Sequence, residues 1–152
     1  MISYGRMSWP APDLTWQTLI RDSYHPDYLS IGEAYHNITS LEAKLDAVVN
    51  DNSSVAWQAT LGGELVGLLL ASAVDQRLVI YDLFISPSRQ RSGIGRALVK
   101  FAIADVGALS VAAEVYTANR SSLALFEKLG FQPRCTSVWL ERKCEANGVA
   151  EP

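Results

Sequence analysis

The chain reads as an α/β (α+β) protein: a mixed, mostly antiparallel sheet of six to seven strands flanked by about four helices. Three observations predict it. Residues 55–85 hold three apolar strand-like runs separated only by the short turns Gly62-Gly63 and Asp75-Gln76, the pattern of consecutive hairpins. The third run passes through a proline and two glycines into a helical stripe, and another strand-like run follows, which implies a crossover and a parallel neighbour. On either side of this unit, apolar residues recur at helical or strand period.

Ile2–Met7 reads as the first strand. Pro10, Pro12 and Asp13 punctuate the chain before an amphipathic helix over residues 14–23, which His25-Pro26 stops because the residue before proline disfavours helix. Residues 27–37 are irregular yet hold Tyr28, Glu33, Tyr35 and His36, and loops on a rigid scaffold often carry binding groups. Thr39-Ser40-Leu41-Glu42 is a capping box, and Leu41, Leu45, Val48 and Val49 follow on one helical face to about Asn50.

Val55–Leu61, residues 65–73 and residues 77–85 are the hairpin strands. The next helix carries Ile94, Ala97, Leu98, Phe101 and Ala102 on one stripe, widened by Val99 and Ile103, so it must lie against the sheet. Residues 111–116 form the parallel strand. Asn119 is a good N-cap for a helix over residues 120–129, with Gly130 as its left-handed C-cap. Residues 131–135 and 138–142 close the sheet, with Trp57, Phe101 and Trp139 assigned to the core.

At 152 residues the chain reads as one domain over 1–144, with 145–152 a tail disordered by composition. A net charge of -3 excludes a nucleic-acid surface, which needs a dominant basic face, so any local arginine cluster points to a small anionic ligand. The longest apolar run, residues 65–74, falls short of the roughly 20 residues that span a bilayer. The first ten residues lack the order of a secretory signal, so the protein reads as cytoplasmic. Cys135 and Cys144 read as free thiols, and His25 and His36 lack ligand spacing, so no metal is expected.

The chemistry concentrates in residues 81–98. A strand stops at Pro87, passes Arg89, Arg91 and Arg96 among the glycines Gly93 and Gly95, and opens into a helix. Glycines let the backbone approach a ligand closely, and the free N–H groups of a helix start point at an anion in front of them, so this is a candidate phosphate cradle. A tight strand-to-helix connection is the plainer alternative. Two other phosphate motifs fail: a P-loop needs Lys and then Ser or Thr where Arg96 and Ala97 stand, and a dinucleotide fingerprint needs glycine at Leu98.

Gln90-Arg91-Ser92-Gly93-Ile94-Gly95 resembles the acetyl-CoA signature of the GNAT N-acetyltransferase superfamily, (Gln/Arg)-X-X-Gly-X-(Gly/Ala). The preceding Leu83-Phe84-Ile85-Ser86-Pro87 and the later run from Asn119 to Gly130-Phe131 are also similar to that family in kind and order. The resemblance implies a GNAT-type fold in which the strands holding residues 83–85 and 111–116 splay apart to admit the pantetheine arm of acetyl-CoA. Main-chain groups at Leu83, Phe84 and Ile85 would hold the arm. Gln90, Arg91, Ser92, Gly93, Ile94, Gly95 and Arg96 would hold the pyrophosphate, with Asn119, Ser122 and Phe126 also facing the cofactor.

The implied reaction is direct attack of an amine on the thioester, which requires a neutral amine, a polarised carbonyl and a proton for the leaving thiolate. Many relatives supply that proton from a Tyr where this chain has Phe126, leaving Ser121, Ser122, Tyr116 or a water as donor, or an unassisted thiolate. Asp82 is the first candidate base, with an ion pair or strand-end hydrogen bond as its alternative role; Glu33 is the second. The expected partner is a small-molecule amine acceptor, with protein N-termini or lysines as the alternative and a non-catalytic acyl-CoA-binding module as the third. No membrane partner is expected, and a homodimer is consistent with the family.

Overall fold

In a computed structural model, residues 1–9, 11, 15–23, 41–49, 54–138, 140, 142 and 144 are described. The 27–37 segment with Glu33, the Thr39-Ser40 half of the capping box, Trp139 and the 145–152 tail lie outside them.

Five strands, β1 (Ile2–Met7), β2 (Val55–Leu61), β3 (Glu64–Val74), β4 (Arg77–Ile85) and β5 (Ser110–Ala113), form one sheet in sequence order. The first four pair antiparallel and β5 pairs parallel with β4. The helices are α1 (Thr15–Ser23), α2 (Leu41–Val49), α3 (Ile94–Val106) and α4 (Arg120–Lys128). Asp75 and Gln76 turn the β3–β4 hairpin with both φ angles positive, at 51° and 61°, the backbone that matches strand twist across a two-residue loop.

The sheet buries both faces because its strands alternate apolar side chains in both directions. Trp16, Leu19 and Ile20 of α1 and Leu45 of α2 pack on Ala56, Leu68, Leu70 and Phe84. On the other face Ile94, Leu98, Val99 and Ala102 of α3 and Phe126 of α4 pack on Trp57, Ala59, Leu69, Leu78 and Ile80.

Two expectations are corrected. The sheet among the described residues has five strands rather than six or seven, because residues 131–138 form no strand, and β5 stops at Ala113 instead of Tyr116. The reason is local. Phe131 closes the end of α4, its N–H bonded to the Phe126 carbonyl at 3.0 Å, and after it come Gln132, Pro133, Arg134, Cys135, Thr136 and Ser137. That run offers no apolar face to bury, and Pro133 withdraws a ladder donor.

On the face opposite α1, Asp105 of α3 accepts from Trp57 Nε1 at 2.9 Å and from Arg6 Nε at 3.0 Å, with the Arg6 guanidinium 5.4 Å from the centre of the Trp57 ring. The Trp57 hydrogen bond and then the nearby Arg6 charge hold the Asp105 carboxyl below the usual carboxylate range. Asp105→Ala leaves the N–H of a fully buried indole without a partner, and is expected to lower the unfolding free energy by about 1–3 kcal/mol in urea melts. Because folding lowers this pKa, the stability Asp105 contributes is complete above its unfolded value near about 3.9 and is lost as pH falls through the folded value; Asp105→Asn should flatten that acid limb.

Candidate active site

β4 changes faces part-way along. Leu78 and Ile80 point toward α3, and so do Leu83 and Ile85, whereas Phe84 joins the α1 core. The change of parity is a bulge: Leu70 of β3 pairs with Asp82 and Ala71 pairs with Ile80, leaving Tyr81 as the extra residue. A bulge bends and twists the strand that carries it. Pairing with β5 ends at the same place, with Ile80 opposite Ala113 and the Glu114 N–H reaching the Ile80 carbonyl at 3.3 Å. Beyond it, Asp82 to Ile85 pair only with β3; the Ser86 N–H bond to Val66 sets the alternation, so Phe84 turns its main chain to β3 while Leu83 and Ile85 turn theirs to the other edge, where no strand lies among the described residues. Asp82, half-buried, lies on the α1 face with Phe84, at the point where the two parallel strands part.

β4 ends where the Ser86 N–H bonds the Val66 carbonyl at 2.9 Å, and a 3-10 turn over Pro87–Arg89 leads into an open loop. Arg91 takes φ 62°, a region non-glycine residues rarely occupy, and Gly93 takes φ 86° as the N-cap of α3. No side chain caps that helix start, and its first internal bond is Ala97 N–H to the Gly93 carbonyl at 3.0 Å, so the amides of Ile94, Gly95 and Arg96 have no helical acceptor. A side chain placed on Gly93 would meet nothing within 4 Å. Space is therefore open beside the residue that caps the helix start.

Arg89, Arg91 and Arg96 are exposed around that space, and none pairs with a carboxylate among the described residues. Unneutralised arginines beside free helix-start amides fit a polyanion, and a diphosphate is of the right charge and size. Gln90 turns back, its Nε2 donating to the Ile85 carbonyl at 3.3 Å, and the Ser92 hydroxyl donates to the Arg89 carbonyl, so both side chains brace the loop.

The other residues named from the sequence have more structural surroundings. A Cβ on Gly95 would come within 2.8 Å of Leu125 Cδ1, so this glycine lets α3 and α4 lie close, while only Gly93 faces open space. Ile94 is buried in the core below the cradle. Asn119 Oδ1 accepts the Ser122 N–H at 3.1 Å as the cap of α4. Phe126 is only 6% exposed, its ring edge-to-face with Phe131 at 5.0 Å. No group of three or more His, Cys, Asp or Glu among the described residues could hold a metal, and none of their helices is long and apolar enough to cross a membrane.

The bulge at Tyr81 was missed in the sequence. No signal for it stands there: residues 78–81 and 83–85 are apolar throughout, so there is no alternation whose break would mark an extra residue.

The family model described as "Acetyltransferase (GNAT) family" matches residues 16–131, which includes the bulged strand, the cradle and α4. The chain belongs to the GNAT acetyltransferase family. Among curated proteins it is 31% identical over 78 residues to the ribosomal protein bS18-alanine N-acetyltransferase of Escherichia coli, a match covering 49% of this chain and 53% of that one. The chain thus spans about half the length of the curated relatives it matches. The crystal structure of the Escherichia coli enzyme of that name shares its fold with a TM-score of 0.66 at 21% identity, over 89% of this chain and 80% of that one. The PaiA N-acetyltransferase from Thermoplasma acidophilum, solved in complex with coenzyme A, gives 0.68 at 19% identity over 91% and 94%. At that identity the likeness of these GNAT structures is one of fold.

Proposed function

We propose that this protein is an acetyl-CoA-dependent N-acetyltransferase that acylates the primary amine of a small-molecule or amino-acid-like acceptor. The observation that carries the reading is the open start of α3 with no side-chain cap and three arginines around it that, among the described residues, pair with no carboxylate, beside a strand edge that has no neighbour among those residues.

In this reading the amides of residues 94–96 and the arginines bind the diphosphate of acetyl-CoA, and main-chain groups of Leu83 and Ile85, on the edge of β4 away from β3, bond the pantetheine amides as an added strand would. Acetyl-CoA supplies an activated acyl thioester. A main-chain N–H on that edge polarises its carbonyl, and Asp82, on the opposite face, takes the proton of the attacking amine. A thiol pKa near about 8.5 makes the leaving group good enough to depart and take its proton from water, so Phe126 is compatible with turnover.

The test is thiol release from acetyl-CoA across a panel of small amines. Release with one or more supports the transferase; tight acetyl-CoA binding without release from any acceptor favours the binding module instead. A second reading, acylation of a protein N-terminus, is favoured by the activity for which the Escherichia coli relative is named, and a peptide beginning with alanine in the same panel separates the two.

A further inference from the structure

Arg91 is held in a backbone conformation that a smaller residue would adopt more easily. Among the described residues three non-glycines take positive φ: Asp75 and Gln76, at 51° and 61°, because a two-residue hairpin loop demands it, and Arg91, at 62°. The loop at Arg91 closes no hairpin, and glycine would take the same φ without the crowding of Cβ against the following carbonyl oxygen. A costly backbone kept at a ligand site is expected where the side chain has a task.

The residues on either side hold that backbone in place. Gln90 Nε2 donates to the Ile85 carbonyl at 3.3 Å and the Ser92 hydroxyl donates to the Arg89 carbonyl, so both side chains turn into the loop. Arg91 lies between them, exposed and without a carboxylate partner among the described residues. Arg89 and Arg96 stand differently. Arg89 ends the 3-10 turn and Arg96 lies in the first turn of α3, so both belong to helical backbone at the free amides.

Acetyl-CoA, the donor on which the transferase reading and therefore this proposal rest, carries two separate anionic groups. Its diphosphate bears about one negative charge per phosphate, and the 3′-phosphate on its ribose, a monoester, bears about two near neutral pH. The three free amides with Arg89 and Arg96 match the first group. Arg91 is surplus to it, and its planar fork of N–H donors suits a second phosphate.

We propose that Arg91 binds the 3′-phosphate, which refines for this one residue the assignment of the three arginines to the diphosphate, and that it makes the protein discriminate coenzyme A thioesters from their 3′-dephospho forms.

Calorimetric titration of the full chain with acetyl-CoA and with acetyl-3′-dephospho-CoA, at one ionic strength, tests the assignment. The expected result is a preference of about tenfold or more for acetyl-CoA in the parent chain, reduced to about twofold or less in Arg91→Gln, while Arg89→Gln and Arg96→Gln weaken both ligands and keep the ratio. Glutamine already occupies positive φ in this fold at Gln76, so Arg91→Gln should fold, which its melting curve checks. Equal affinity of the parent for the two donors, a preference that survives in folded Arg91→Gln, or its loss in Arg89→Gln instead would each overturn the assignment. Tight and equal binding of both donors removes only the 3′-phosphate contact and leaves the transferase reading intact, whereas failure to bind either donor removes both.

Discussion

Gly93→Val should lower acetyl-CoA affinity by about 100-fold or more in calorimetry. Gly93 caps α3 with φ 86° and open space before it, so a branched side chain would project into the volume assigned to the diphosphate and screen the amides of Ile94, Gly95 and Arg96. The same change strains the backbone, because a β-branched residue at positive φ costs on the order of 1–3 kcal/mol. Strain alone must therefore be separated from blocking. Gly107, the C-cap of the same helix, also has positive φ, at 60°, and open space around it, but stands at the far end of α3. Gly107→Val should lose similar stability and keep its acetyl-CoA affinity. Equal loss of affinity in the two variants, or none in Gly93→Val, would remove the cradle from the proposal.

Much of this site was legible because local chemistry decided it. Positive φ at Gly130, the Asn119 cap and the apolar stripe of α3 follow from residues within a few positions of one another, and each occurs where the sequence placed it. Long-range facts were harder. Nothing near Gly95 says that Leu125 will lie against it, so two glycines of one motif looked alike although one faces open space and the other a helix. Likewise, residues 131–135 had an apolar start that suggested a strand, and only the packing of α4 reveals that Phe131 is spent on closing the helix. The acceptor side was least legible, since it depends on which strand ends and loops meet in space.

The largest stability effect is expected at Phe126. At the end of α4 the Phe131 N–H bonds the Phe126 carbonyl at 3.0 Å and the Gly130 N–H bonds the Glu127 carbonyl at 3.0 Å, with Gly130 at φ 88°, which is the paired bonding of a Schellman cap. That motif brings the third residue from the helix end against the second residue past its cap, and here these are the two phenylalanines. Phe126→Ala empties a buried site and removes the ring that holds the cap, so a loss of about 3–5 kcal/mol is expected, with a fall in Tm on the order of 10 °C by calorimetry. A loss below about 1 kcal/mol would mean the ring is not held there. The companion variant Phe126→Tyr probes chemistry. With the ring engaged by Phe131, its hydroxyl is not positioned to serve the thiolate, and kcat should stay within about twofold of the parent. A rise of about tenfold would show that proton delivery limits turnover and that α4 can supply it, and the water-protonated departure proposed above would then be wrong.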